Sequence, residues 1–319
     1  MTRAPFCGKE YWDKWIRYSE KNIDDHIQTL KEPTGNPQYR PQYAFTLVTN
    51  YLHLMLMRYS RGDSAADVTK DFSQLLVAWE NAERLHLELM SDEEYRFKFD
   101  WSVNLDHYIV CFWITGLAFF AETNVDEWAR LISLMGNEGK DKLLDELLAA
   151  KQPNRSIGEM LCHPRPYQKL LNVVEGSVGQ RSAALNEFVE SWYTDLNRVP
   201  KNRHLSGDSA LYERPYWYKY GEKNMAGGAY FGQWCIEAAL VAKMLAIDDS
   251  FCLGHPQYPG DLLRPGVVTQ ADMQRLPSSL KKWHSTAMVS TEETQTIDSI
   301  EEKSNLRRQG WISRLFSKS

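Results

Sequence analysis

From residue 9 to residue 150 apolar residues recur every three or four positions, and nowhere in that span do they alternate strictly with polar ones. The first spacing buries one side of a helix; alternation would be needed for a half-buried strand. Tyr11, Trp12, Trp15, Ile16, Ile23 and Ile27 place a helix over 9–31, and Pro33, Gly35, Pro37 and Pro41 force a loop after it. A second helix is expected over 42–61, with Leu47, Tyr51, Leu54, Met55 and Arg58 on its inner side. A third spans 65–90, with Val68, Phe72, Leu75, Leu76 and Trp79 inside and Asp67, Asp71 and Gln74 outside. The longest apolar run, residues 108–121, falls short of the ~20 residues that a bilayer demands, so it reads as a central core helix within 101–121. Asn124 caps a fifth helix, residues 140–150 form a sixth, and 167–174 and 180–196 follow beyond a proline-containing loop at 152–166. That loop reads equally as a linker or as a cover over the core. Helix packed on helix is the architecture that follows. The expectation is an all-α, multi-helix bundle: an N-terminal helical region over 1–152, acidic from residue 63, packed with a C-terminal helical region over 153–275. The Ser-, Thr-, Glu- and Lys-rich remainder, 276–319, reads as a flexible tail, with Trp311, Ile312, Leu315 and Phe316 in a short basic amphipathic piece at its end.

The C-terminal region is organised by the stretch 214–263. Phe231, Trp234, Cys235, Ala238, Val241, Ala242 and Leu245 predict a helix over 230–246 that is buried on most of its circumference. Its small residues let neighbouring helices approach. Asp248 and Asp249 follow, at the end of a helix where a dipole disfavours them, so the helix ends by Ile247. Several prolines then keep 255–265 extended. Glu237 falls inside this buried helix and needs a partner there, which Arg214, Lys219 or a tyrosine hydroxyl can supply. The cluster Tyr216, Trp217, Tyr218 and Tyr220 reads as core packing rather than a base-stacking platform, because basic residues are not concentrated around it.

Three further features of this stretch, the run Tyr230-Phe231-Gly232-Gln233-Trp234, the step Glu237-Ala238-Ala239, and Ile247-Asp248-Asp249-Ser250 continuing through His255-Pro256-Gln257-Tyr258-Pro259-Gly260-Asp261-Leu262, resemble the C-terminal signature of PoNi-type immunity proteins. That family protects bacteria against PoNe-type DNase toxins delivered by contact-dependent routes such as type VI secretion. The resemblance implies an all-helical inhibitor with no catalytic residues and no cofactor, whose partner is a cognate nuclease toxin. It also marks Trp217, Trp234, Glu237, Asp248, Asp249, His255, Tyr258 and Asp261 as structural residues of the signature.

The net charge of −5 conceals a concentration of acid: residues 63–150 carry eighteen carboxylates against seven Lys and Arg, a local net of −11. Such a segment argues against direct contact with nucleic acid, which requires a basic surface. It suits instead a nuclease, whose cleft must itself be basic, and opposite charge speeds association. Asp67, Asp71, Glu80, Glu83, Asp92, Glu93 and Glu94 are the candidate toxin-binding residues, with Glu88, Asp141, Asp145 and Glu146 adding to the same field. The sequence contains no phosphate loop, no HExxH and no GxSxG. Asp248, Asp249, His255 and Asp261 are the nearest approach to a metal-ligand set. Their spacing fits no standard loop, but they sustain an alternative reading as a metal-dependent hydrolase. A helical adaptor is the other alternative. Five unclustered cysteines and an N-terminus lacking an apolar core segment fit a cytoplasmic protein with no transmembrane segment, while monomer and homodimer stay open.

Overall fold

A buried arginine sets the geometry of the N-terminal half. The computed structural model describes residues 2–32, 35–197 and 214–264, and among these there is no strand. Helix α1 (Lys9–Lys31) buries Trp12, Ile16, Ile23 and His26 along one face. Helix α2 (Arg40–Arg61) is covered on two sides, by α1 and by α4 (Phe72–Leu89), so from Leu54 to Ser60 every side chain is buried. One of those is Arg58. A guanidinium withdrawn from water must be paired, and Arg58 reaches Glu20 of α1 at 2.9 Å on one side and Asp71 on the other.

That pairing explains why the single helix expected over 65–90 is interrupted. It becomes a short α3 (Ala65–Thr69), capped by the Ser64 hydroxyl, then a break at Lys70 and Asp71, then α4. Asp71 is therefore turned inward, onto Arg58, and not outward as helical periodicity places it. Helix α5 (Asp92–Phe99) is an addition to the expected set. It opens on a capping box in which Ser91 and Glu94 satisfy each other's backbone N–H groups. Replacing Ser91 by alanine is expected to cost about 1 kcal/mol, read as a shift in the urea midpoint at unchanged slope.

Helix α6 (Leu105–Phe120) runs through the middle and is buried from Leu105 to Ala118 except at Asp106 and Val110. Helix α7 (Val125–Met135), capped by the Asn124 side chain, lies against α4. Helix α8 (Lys142–Ala149) starts on Asp141, whose carboxylate receives the backbone N–H of Leu144 at 2.6 Å and that of Cys162 at 2.8 Å. Asp145 lies one turn on and is bound by Arg155 at 2.7 Å, with both side chains enclosed. The loop after α8 is thus folded back on the helix that precedes it. Helices α9 (Pro164–Glu175) and α10 (Val178–Asp195) pack on each other through Leu170, Leu171, Val174, Leu185, Phe188 and Val189.

The helix expected over 230–246 is the largest departure. After a short α11 (Tyr220–Lys223), the chain runs extended through Tyr230–Cys235, entirely buried, and only Ile236–Met244 is helical (α12). Tertiary contacts select the extended form. Ser60 donates to the Phe231 carbonyl at 3.1 Å, Tyr11 to the Tyr230 carbonyl at 2.9 Å, and Cys235 N–H to the Gln257 carbonyl at 2.8 Å. The segment is wedged against α1 and α2, and α12 continues onto α6. A Cβ on Gly116 would lie 2.4 Å from the Ile236 side chain, so only glycine lets α6 and α12 come this close. The tail expected over 276–319 lies outside the described residues.

Candidate functional site

The wedge accounts for most of the signature residues. Trp234 donates its indole N–H to Ser60 Oγ at 2.8 Å and stands edge-on to Tyr59. Ser60 passes the interaction on to the Phe231 carbonyl, so one hydroxyl, fully buried, serves both as acceptor and donor. Replacing Ser60 by alanine strands a buried indole N–H and a buried carbonyl, for an expected loss of about 1–3 kcal/mol in chemical denaturation. Trp217 is packed between Trp113, Trp192 and Phe231, with its ring 5.1 Å from that of Trp113. The Tyr-Trp cluster thus supplies core at Trp217 and Tyr218, while Tyr216 and Tyr220 stay about half exposed.

Glu237 is wholly buried. One oxygen receives the Tyr167 hydroxyl at 2.9 Å and the Trp192 indole N–H at 3.3 Å; the other has no hydrogen-bond partner among the described residues. Its partner is therefore a tyrosine hydroxyl, and neither Arg214 nor Lys219 is needed. Removal from water raises the carboxyl to about 7, against the opposing pull of its hydrogen bonds.

The remaining signature groups fasten loops. Asp248 accepts from Ser250 N–H at 3.0 Å. Asp249, buried, is held by the Tyr258 hydroxyl at 2.7 Å and by Arg264. His255 accepts the Gln257 N–H at 3.3 Å through Nδ1. Asp261 receives Arg3 at 2.7 Å, and the same guanidinium also binds the carbonyls of Tyr59 and Asp63. Asp248, Asp249, His255 and Asp261 are thus committed to four separate local tasks. Among the described residues no three His, Cys, Asp or Glu side chains converge in a way that could hold a metal. Asp248, Asp249, His255 and Asp261 therefore do not form the metal site that the hydrolase alternative assigned to them. The contribution of Arg3 carried no sequence signal, because its partners lie 56 to 258 positions away.

The acidic candidates spread along the full length of α4, about 27 Å at the usual rise for 18 residues. At its start, Asp67 is exposed and bonded to the Ser64 hydroxyl, and Asp71 is spent on Arg58. Near its middle Glu80 forms a two-pronged pair with Arg130 of α7, at 2.6 and 2.9 Å. At its end Glu83 binds the Tyr95 hydroxyl at 3.0 Å and His86 at 3.3 Å. There α5 brings up Asp92, Glu93 and Glu94, of which Glu94 is engaged in the cap. Asp92 and Glu93 are exposed and make no ion pair among the described residues. The structure therefore brings together Glu83, Asp92, Glu93 and Glu94 and separates them from Asp67 and Asp71. It also withdraws Asp100, Asp141 and Asp145 into the interior, so the surface of 63–150 is less acidic than its composition implies.

Among curated proteins none matches this chain. The crystal structure of protein PA2201 from Pseudomonas aeruginosa superposes with a TM-score of 0.60 over 82% of this chain and 89% of that one, at 19% identity, which establishes a shared fold. No helix among the described residues is long and apolar enough to cross a membrane. Two family models cover nearly all of the helical body: that of the PoNe immunity protein (PoNi), N-terminal, matches residues 3–133, and that of the PoNe immunity proteins (PoNi), C-terminal, matches residues 139–262. With both of its halves accounted for in their proper order, the chain belongs to the PoNe immunity proteins.

Proposed function

We propose that this protein acts in the cytoplasm of the bacterium that makes it, where it binds a cognate PoNe-type DNase toxin and excludes DNA from the toxin's cleft. The observation that carries this reading is the match of both halves to the immunity family. Two physical features support it. The body is a rigid helical frame whose buried polar groups, Glu237 and Asp249 among them, are tied into the frame by neighbouring side chains. Its exposed carboxylates include Asp92 and Glu93, which remain without ion pairs among the described residues. Charge of that sign on the inhibitor complements the basic surface a nuclease must present to phosphates. No chemistry by this chain is required: inhibition follows from occupancy.

Co-expression tests the reading directly. Cells producing the toxin of the same locus should survive only with this chain present, and purified protein should stop DNA cleavage at a one-to-one ratio. Association should slow by about tenfold or more as salt rises from 50 to 300 mM, because screening shortens the reach of the charges. Cleavage that continues at a molar excess of this protein sinks the reading. Association that ignores salt removes the electrostatic part alone.

A further inference from the structure

We propose that the turn Asp248–Cys252, with Phe251 at its tip and Asp248, Glu187 and Glu190 around it, is the surface that seats the basic face of the nuclease. This assignment rests on the proposed DNase partner and adds where that partner docks.

Phe251 is the first sign. It is 67% exposed, more than any other aromatic side chain among the described residues. The fold gains little from a large apolar group left in water. Val178, 80% exposed, stands one turn before Ser182 on the same row of α10. The Ser182 hydroxyl donates to the Asp248 carbonyl and so brings that row against the turn. From there the chain runs along the helix. The 3-10 turn Ser250–Cys252 packs on α10, and the charge of Glu190, two turns beyond Ser182, reaches both Cys252 and His255.

The second sign is that the turn is held from beneath. Asp248 accepts the Ser250 N–H at 3.0 Å. The backbone N–H of Cys252 donates to the Asp249 carbonyl at 2.9 Å, and that of His255 to the Cys252 carbonyl at 3.1 Å. Below them the buried Asp249 carboxylate is tied to Tyr258 and Arg264. A tip held this firmly loses little freedom when it is covered, which favours affinity. Aromatic side chains are enriched where protein interfaces are most buried.

Charge selects the occupant. Asp248, Glu187 and Glu190 are exposed and make no ion pair among the described residues. Burial, and after it the charges of Asp249, Glu190 and Asp248, push the Cys252 thiol up to about 12, and all three of those charges are carboxylates. Most cations on this side are committed elsewhere. Arg264 binds Asp249, Arg181 holds the carbonyls of Val174 and Gly176 at the end of α9, and Lys169 is tied to Ser191 and Asp195. Lys243, in the last turn of α12, is exposed, which leaves three carboxylates against one lysine. Further along α10, where Tyr193 meets Glu222 of α11, Lys219 and Lys223 balance the charge and end the acidic stretch. An apolar tip ringed by carboxylates fits a basic protein surface and repels a phosphate backbone or an anionic membrane. A two-fold contact with a second copy would set the same carboxylates against each other.

The test uses the full chain and the nuclease domain of the PoNe-type toxin from the same locus, inactivated so that it can be purified. Phe251→Ala should weaken binding by roughly 10-fold and Phe251→Arg by roughly 30-fold or more, in the range of interface hot spots. Glu187→Gln combined with Glu190→Gln should slow association several-fold at low salt with dissociation unchanged. Val125→Arg, on a residue 84% exposed on α7, should stay within about twofold. Thermal unfolding of each variant shows whether the fold is kept; if either Phe251 variant melts early, the Glu187 and Glu190 pair decides. Wild-type binding with the Phe251 and Glu187/Glu190 variants all within twofold overturns the surface while sparing the function. So does slowed association in Asp92→Asn with Glu93→Gln when Glu187→Gln with Glu190→Gln binds at the wild-type rate. No binding by the wild type overturns both. Loss of self-association in Phe251→Ala with toxin affinity intact assigns the turn to a second copy of the chain, and overturns the proposal too.

Discussion

Gly232→Ala should leave little folded protein: the substitution is expected to cost about 4 kcal/mol or more, against a total stability of about 5–15 kcal/mol for a typical domain. Three effects act at one atom. The backbone of Gly232 sits at φ +104°, a conformation that side-chain-bearing residues seldom adopt, at an expense of about 1–3 kcal/mol. A Cβ there would lie 2.3 Å from Trp234 Nε1 and 2.4 Å from Ser60 Oγ, inside the hydrogen bond that joins those two groups. Separating them strands a buried indole N–H, worth about 1–3 kcal/mol more, and the crowding adds to it. The neighbouring substitution Gly227→Ala meets no atom within 4 Å, so it should shift stability by no more than about 0.5 kcal/mol. Urea unfolding of the two variants beside the wild type gives the comparison, and the fraction of soluble protein in cells gives a second readout. Equal midpoints for Gly232→Ala and the wild type would show that the extended wedge can shift without loss, and that residues 230–235 do not anchor the two halves as their hydrogen bonds require.

That wedge is also where the sequence was least legible. Helix α1, both ends of α2 and of α10, and the start of α7 were readable to within two residues, because helical apolar spacing runs through each of them. Residues 230–235 follow the same spacing, yet they are extended, because Ser60, Tyr11 and Gln257 supply hydrogen bonds from distant parts of the chain. Apolar periodicity records burial and does not distinguish a buried helix from a buried strand-like segment. Asp71, Asp141 and Asp145 failed for the same kind of reason. A carboxylate reads as surface in a sequence, and only the fold reveals the Arg58, Tyr108 and Arg155 that bring it inside. By contrast, Ser91 and Glu94 carried a local signal for α5 that was there to be read. The signature residues were legible as a set, but their tasks were not: Glu237 with Tyr167, and Asp261 with Arg3, are pairs separated by 70 and 258 positions.

The second large effect concerns Glu237, and it is visible as a dependence on pH. In the folded protein, burial raises this carboxyl from 4.5 to about 7. The folded state therefore holds the proton more tightly than the unfolded chain does. Stability from this group is complete below pH 4.5, declines as pH rises through 7, and is flat beyond. The decline amounts to about 3 kcal/mol at 1.36 kcal/mol per unit. Other groups blur the wild-type curve. Asp106, also raised to about 7 by burial, slopes the same way. His53 and His107, held neutral by burial and lowered to about 4 and about 3, lose stability as pH falls below 6.5. Subtraction isolates Glu237: Glu237→Gln keeps the shape and an acceptor for Tyr167 but cannot ionise, so its offset from the wild type owes its pH dependence to this carboxyl alone. Urea unfolding from pH 4.5 to 8 should show the variant gaining about 3 kcal/mol on the wild type across that window. A constant difference would mean that Glu237 titrates like an exposed acid, which its burial between Tyr167 and Trp192 forbids. The slope also bears on function. In the proposed role as an inhibitor, the protein works at neutral pH, near the upper end of the titration, where this carboxylate is least favourable to the fold. Glu237→Gln should then give a more stable protein, and, on the proposed role, one that still protects, since Glu237 is wholly buried and out of a partner's reach.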